Sequence, residues 1–142
     1  MITVSPSLFR ALVLSSWLAS LAAALLDVLW PSLLPPSWLA LYESAELPWM
    51  PASGEPPVLM LALPGALLLA LVAAAVALCR FQPWGRRVSL WGTLLMLPLA
   101  AWLGPLMMSG PALALLELSG MLWGAALALA YASPLATRFQ RT

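Results

Sequence analysis

The sequence predicts an all-α integral membrane protein: a bundle of four membrane-spanning helices, with both termini inside and a short interfacial helix in the outer loop between the first two spans. Three observations predict it. Hydrophobic residues fill 63% of the 142 positions and charged residues only 8%, where an ordinary soluble domain carries about 25% charged residues. Four apolar stretches, Ala11–Trp30, Val58–Cys79, Val88–Met108 and Ala112–Tyr131, each approach the roughly 20 residues with which a helix crosses about 30 Å of hydrocarbon. All six basic residues are arginines, and they fall on one side of those stretches.

The sorting of charge sets the expected direction of each span. Arg10 precedes the first span, Arg80, Arg86 and Arg87 lie between the second and third, and Arg138 and Arg141 follow the fourth. Basic residues in short loops remain cytoplasmic while acids count for little, so both termini are expected in the cytoplasm. Glu43, Glu46 and Glu55 fall on the opposite side, with Asp27 at its border. So strong a bias argues against dual topology. At the inner surface the arginines are expected to meet lipid phosphate. The chain lacks Lys, His and Asn and has a single Ile. Together with its Ala, Leu, Arg, Pro, Gly and Trp content, this points to GC-rich coding and a bacterial inner membrane.

Span 1 has a second reading. Arg10, the apolar run Ala11–Leu21 and the small residues Ala22-Ala23-Ala24 also fit the three regions of a signal peptide. Retention is expected, because cleavage would leave three spans and an outside N-terminus. Residues 31–57 then carry seven prolines, Pro31, Pro35, Pro36, Pro48, Pro51, Pro56 and Pro57, too many for a long regular element. One short helix fits between them, from Ser37 to about Leu47. There Trp38, Leu41, Tyr42 and Ala45 share a face and Glu43 and Glu46 point away. Such a helix lies in the outer interface. Trp30, Trp38 and Trp49 are its expected headgroup-level anchors, and Trp84 is the anchor on the inner side.

Spans 2 and 3 are joined by Phe81-Gln82-Pro83-Trp84-Gly85, where Pro83 and Gly85 are expected to supply the bend. Ser109-Gly110-Pro111 makes a tighter turn into span 4, with Pro111 at a first helical position that needs no N–H. Short connections make spans 2, 3 and 4 antiparallel neighbours. Pro64 and Pro98 inside spans 2 and 3 are expected to kink their helices. The tail after Tyr131 is too short for a further domain, and no internal repeat is apparent.

Glu117 is the sharpest single residue. It falls about 8 Å inside span 4 at 1.5 Å per residue, and acids at bilayer depth cost a few kcal/mol and are functional by default. No base exists on that side, so it needs a proton, a hydroxyl or indole donor, a partner subunit's charge, or a cation. Alternatively it gains from the N-terminal dipole of its own helix and snorkels outward. Asp27 reads as an exposed interfacial acid. Were spans 1 and 4 to touch, however, the two carboxylates would be able to share a proton or a cation. Glu117, Gly120, Gly124 and Ala128 lie near one ridge, and Gly120/Gly124 have the spacing that permits close helix approach. Ala19 and Ala23 belong to a matching row of span 1, with Ala11, Ser15 and Asp27.

Function is bounded mainly by exclusion. Without His and with Cys79 alone, the usual zinc, b-haem and iron–sulfur ligand sets are missing, as are Ser-His-Asp and Cys-His arrangements. The expectation is a non-enzymatic subunit, without cofactor or metal, whose partners are lipid and other membrane proteins or further copies of itself. Nothing points to nucleic acid. The alternative is a small oligomeric transporter or channel using Glu117, with or without Asp27, as a proton or cation site.

Overall fold

A computed structural model describes residues 5–34, 36–37, 58–103 and 108–140. Every regular element among them is helical. Four long helices follow in order: α1 Pro6–Leu29, α2 Val58–Cys79, α3 Pro83–Leu103 and α4 Gly110–Ala132. Two 3-10 segments, Pro31–Leu33 and Pro134–Gln140, continue α1 and α4. Of the expected outer helix from Ser37 to Leu47 only Ser37 is described, helical with Pro36; residues 38–47 and Trp49 lie outside the described residues.

Local chemistry accounts for the helix starts. Ser5 caps α1, its hydroxyl accepting from the Leu8 amide at 3.2 Å, and Pro6 takes the first turn, where an N–H is dispensable. Ser109 caps α4 in the same way, accepting from the Ala112 amide at 3.3 Å with Pro111 in the first turn. Both helices therefore begin earlier than their apolar stretches.

α1 packs chiefly on α4, and α2 on α3. The α1–α4 seam is built from small residues. In α1, buried Phe9, Val13, Ser16 and Ala23 and partly buried Ser20 and Asp27 alternate steps of four and three. In α4, buried Ala112, Ser119 and Ala126 recur every seven. This is the period of a left-handed helix pair, and its short side chains let the two backbones approach. Ser20 Oγ and Ser119 Oγ meet across it at 2.7 Å.

The α2–α3 connection turns at Arg80-Phe81-Gln82. Phe81 takes the left-handed conformation at φ 58°, and the Gln82 amide bonds back to the Ala77 carbonyl at 2.9 Å. The expected bend at Pro83 and Gly85 is corrected: Pro83 opens α3, and Gly85 is a buried helical residue. Gly85 is a close-approach glycine, because a Cβ there would lie 2.6 Å from Ala77 Cβ and 2.9 Å from Ala77 C and Leu78 N.

All three phenylalanines of the chain meet at the arginine-bearing end of the bundle. Phe9–Phe81, Phe9–Phe139 and Phe81–Phe139 have ring centroids 5.6, 6.1 and 5.3 Å apart, within the range of favourable aromatic contact. They tie the start of α1, the α2–α3 turn and the 3-10 tail into one core with Leu78, Ala130 and Leu135. The tail is thus part of the packed structure.

The outward faces are apolar. Leu14, Leu18, Leu21 and Val28 of α1, Leu69 of α2, Trp91 of α3 and Met121 of α4 are all exposed, Val28 to 75%, whereas serines line the interior seam. A water-soluble chain rarely shows so continuous an apolar surface. Among the described residues three helices are long and apolar enough to cross a membrane, Pro6–Leu29, Ala62–Cys79 and Gly110–Ala132, and the chain is an integral membrane protein. α3 is not among them over its described length: Arg86 and Arg87 occupy its first turns, and the stretch towards Met108 passes through residues 104–107, outside the described residues.

Candidate functional site

The acids occupy two different settings on the α1–α4 pair. Asp27, near the last turn of α1, reaches the first turn of α4. Its Oδ2 accepts from the Ser109 amide at 3.1 Å, and its Oδ1 accepts from the Ser109 hydroxyl. Ser109 is fully buried and is itself the cap of α4, so Asp27 extends the cap across two helices. Its own helix presents a negative dipole end there, but the N-terminus of α4 presents a positive one, which favours the carboxylate.

Glu117 stands on the other side of α4. It lies two positions before Ser119, which at about 100° per residue turns it about 160° from the α1-facing seam, and it is exposed. The α1–α4 contact therefore does not bring Asp27 and Glu117 together. Gly120, Gly124 and Ala128 share the exposed face of Glu117, and a Cβ added at either glycine meets nothing within 4 Å. Among the described residues nothing covers that ridge, and the α4 seam uses Ala112, Ser119 and Ala126. In α1, Ala23 is buried and Ala19 half-buried, while Ala11 and Ser15 are exposed; the row expected there winds out of the contact.

A second polar run joins α3 to α4. Trp123 Nε1 donates to Thr93 Oγ1 at 2.8 Å, and Thr93 Oγ1 donates to the Ser89 carbonyl at 2.7 Å. Nearer the arginine end, Tyr131 OH donates to the Arg86 carbonyl at 3.1 Å. Trp17 meets Trp123 edge-on at 6.2 Å across the α1–α4 pair. These partners satisfy polar groups inside a lipid-facing bundle, where an unpaired one is costly.

Five of the six arginines are described, and all lie at one end. Arg10 Nε donates to the Cys79 carbonyl at 2.9 Å, satisfying the C-terminus of α2. Arg86 donates to the Ala130 carbonyl of α4 at 3.4 Å and stacks over Tyr131 at 4.6 Å and Phe139 at 5.7 Å. Arg10 and Arg138 lie 5.5 and 5.8 Å from the centroid of Phe81. Cations at helix C-termini are favourable, as are guanidiniums over aromatic rings. Arg10, Arg80, Arg87 and Arg138 are exposed and Arg86 is half-buried; Arg141 lies outside the described residues. Trp30 and Trp84 are exposed near opposite ends, to 54% and 46%; Trp84 Nε1 donates to Gln82 Oε1 at 2.8 Å.

Two grooves open on the surface. One of about 570 Å³ lies between α2 and α3 beside Leu63, Ala66, Leu67, Leu95, Pro98 and Leu99. A smaller one of about 230 Å³ lies between α1 and α2 and runs from Trp17 and Val72 to Cys79. Both are apolar. Among the described residues, no three potential metal ligands gather.

Sequence reasoning missed the Asp27–Ser109, Ser20–Ser119 and Trp123–Thr93 contacts. Only the first left a usable signal: a Ser-Gly-Pro helix start opposite an acid at the end of an antiparallel helix. The chain matches no protein-family model, no curated protein and no solved structure.

Proposed function

We propose that this chain is a non-enzymatic accessory subunit of a membrane complex, docking to another membrane-embedded helix through the open ridge of α4. The observation that carries the proposal is the joint exposure of Glu117, Gly120, Gly124 and Ala128 on the face turned away from α1. A carboxylate left against lipid costs a few kcal/mol, which a partner's donor or base would offset. The glycines leave room for the close approach such a contact needs. In this reading the chain crosses a bacterial inner membrane four times, with α3 completing its crossing beyond Leu103. The arginine end and both termini are cytoplasmic and the 31–57 loop lies outside, its short helix at the interface.

Transport through Glu117 is the second reading. It draws on the same exposed carboxylate, but the two grooves offer no polar path to it. Transport would therefore need further copies or a partner to enclose the site.

The test is gentle detergent extraction of the tagged chain from its native membrane, with Gly124→Leu and Glu117→Gln beside the unaltered protein. A defined partner lost in Gly124→Leu, while the variant keeps its own thermal midpoint, supports docking through the ridge. Retention of every partner by Gly124→Leu overturns it. Loss of ion flux in Glu117→Gln proteoliposomes, with assembly intact, would favour transport. Reporter fusions at either end, or at the Arg86-Arg87 turn, check the orientation.

A further inference from the structure

The guanidiniums of Arg10, Arg86 and Arg138 come from the first helix, the third helix and the tail, yet they converge on one phenylalanine cluster. Arg10 and Arg138 share the Phe81 ring, 5.5 and 5.8 Å from its centroid. Arg86 lies 5.7 Å from Phe139, whose ring is 5.3 Å from that of Phe81. No described carboxylate is near. Glu117 lies about 20 Å along α4 from the Ala130 carbonyl that Arg86 holds, at 1.5 Å per residue, and Asp27 is engaged at the far end. Three like charges gathered without a counter-charge among the described residues repel one another.

Their donors are only partly used. Arg10 spends Nε on the Cys79 carbonyl, which leaves its two terminal nitrogens. Arg86 spends one terminal nitrogen on the Ala130 carbonyl and keeps its Nε buried, which leaves its other terminal nitrogen; among the described residues Arg138 makes only its ring contact. The terminal nitrogens left over match phosphate oxygens. The smaller apolar groove ends at the same place. Its walls run along α2 from Val72 to Cys79, about 10 Å, and Cys79 is the residue whose carbonyl Arg10 holds. A cationic cluster at the mouth of an apolar groove between membrane helices matches an anionic phospholipid, headgroup and chain together.

We propose that Arg10, Arg86 and Arg138 bind the phosphate groups of an anionic phospholipid, with one of its acyl chains in the groove between α1 and α2. Three guanidiniums exceed what one phosphodiester neutralises, so a lipid with two phosphodiesters binds more tightly than a lipid with one. The site is separate from the α4 ridge and does not depend on docking there.

The test uses the purified full chain in non-ionic detergent, titrated by native mass spectrometry. The probes are cardiolipin, phosphatidylglycerol, phosphatidylcholine and inorganic pyrophosphate. Cardiolipin should bind at least about tenfold tighter than phosphatidylcholine. Arg138→Gln should weaken cardiolipin about tenfold, more than the screened charge of one arginine at a surface. Arg80→Gln and Arg87→Gln remove exposed charges from the same end and should change it less than about threefold. Arg138→Lys, which keeps charge but not the fork, should fall between. Val76→Phe narrows the groove from an exposed position; it should weaken cardiolipin and leave pyrophosphate unchanged. Equal losses in Arg138→Gln and Arg87→Gln, or no preference for cardiolipin over phosphatidylcholine, overturn the site. Pyrophosphate bound as tightly as cardiolipin, with Val76→Phe silent, overturns the lipid as occupant in favour of a soluble phosphate.

Discussion

Asp27 at the end of α1 holds Ser109 at the start of α4 by two hydrogen bonds, one to the backbone amide and one to the hydroxyl. One carboxylate thereby fixes the register of two helices far apart in the chain. Asp27→Ala leaves a buried cap residue short of its partner and should cost about 1–3 kcal/mol. Ser109→Ala removes the cap and the hydroxyl half of the bridge while keeping the amide bond, and should cost about as much. Because both variants break one network, the double variant should be less destabilised than the sum of the two. Denaturation of the reconstituted protein, followed by tryptophan fluorescence, measures all three.

Glycine positions should separate into two classes. Gly85→Ala drives a Cβ into Ala77 and into the backbone of Leu78, where nothing can swing aside, and should cost about 1–3 kcal/mol. Gly120→Ala meets open space inside a helix and should leave the chain by itself as stable as before or up to about 1 kcal/mol more so. Thermal midpoints of the two variants in the same detergent make the comparison.

Phe139→Ala and Phe9→Ala should be comparably damaging truncations at the arginine end. Phe139 is 1% exposed and Phe9 fully buried, and each touches both other phenylalanines, so the loss of either ring is worth about 3–5 kcal/mol. Removing the chain from Pro134 onward should do at least as much harm. Protease resistance of the bundle reports either change.

Cysteines at Ser20 and Ser119, in a Cys79→Ala background, should form a disulfide on mild oxidation. The two hydroxyls are 2.7 Å apart, a separation that a sulfur–sulfur bond of about 2 Å can close with small adjustment. Cysteines at Ser20 and Glu117 should stay reduced, because Glu117 faces away from the seam. Migration on a non-reducing gel distinguishes the pairs, and a Ser20–Glu117 bridge would refute the α1–α4 register.

The helical class and the apolar helices were legible because length and composition alone decide them. α2 occupies the same residues, Val58–Cys79, as its apolar stretch. What faced what was not legible, for a reason particular to lipid. In water the buried face is the apolar one, and periodicity reveals it. Here Leu14, Leu18 and Leu21 point outward and Ser16, Ser20 and Ala23 inward, so apolarity marks neither face. The same applies to Gly120 and Gly124, whose spacing suggests contact although the described residues make none there. Gly85 read as a bend because glycine and proline punctuate turns in general. Its close approach to Ala77 shows only in three dimensions.

The pairing of α1 with α4 has a consequence for assembly during synthesis. α1 enters the bilayer before α4 is made, so its serine-lined side has no counterpart until then, while α2 and α3 can zip together in the interval. The arginine end closes later still, when the 3-10 segment that follows α4 delivers Phe139 to the other two rings. The contacts most distant along the sequence are thus the last to form.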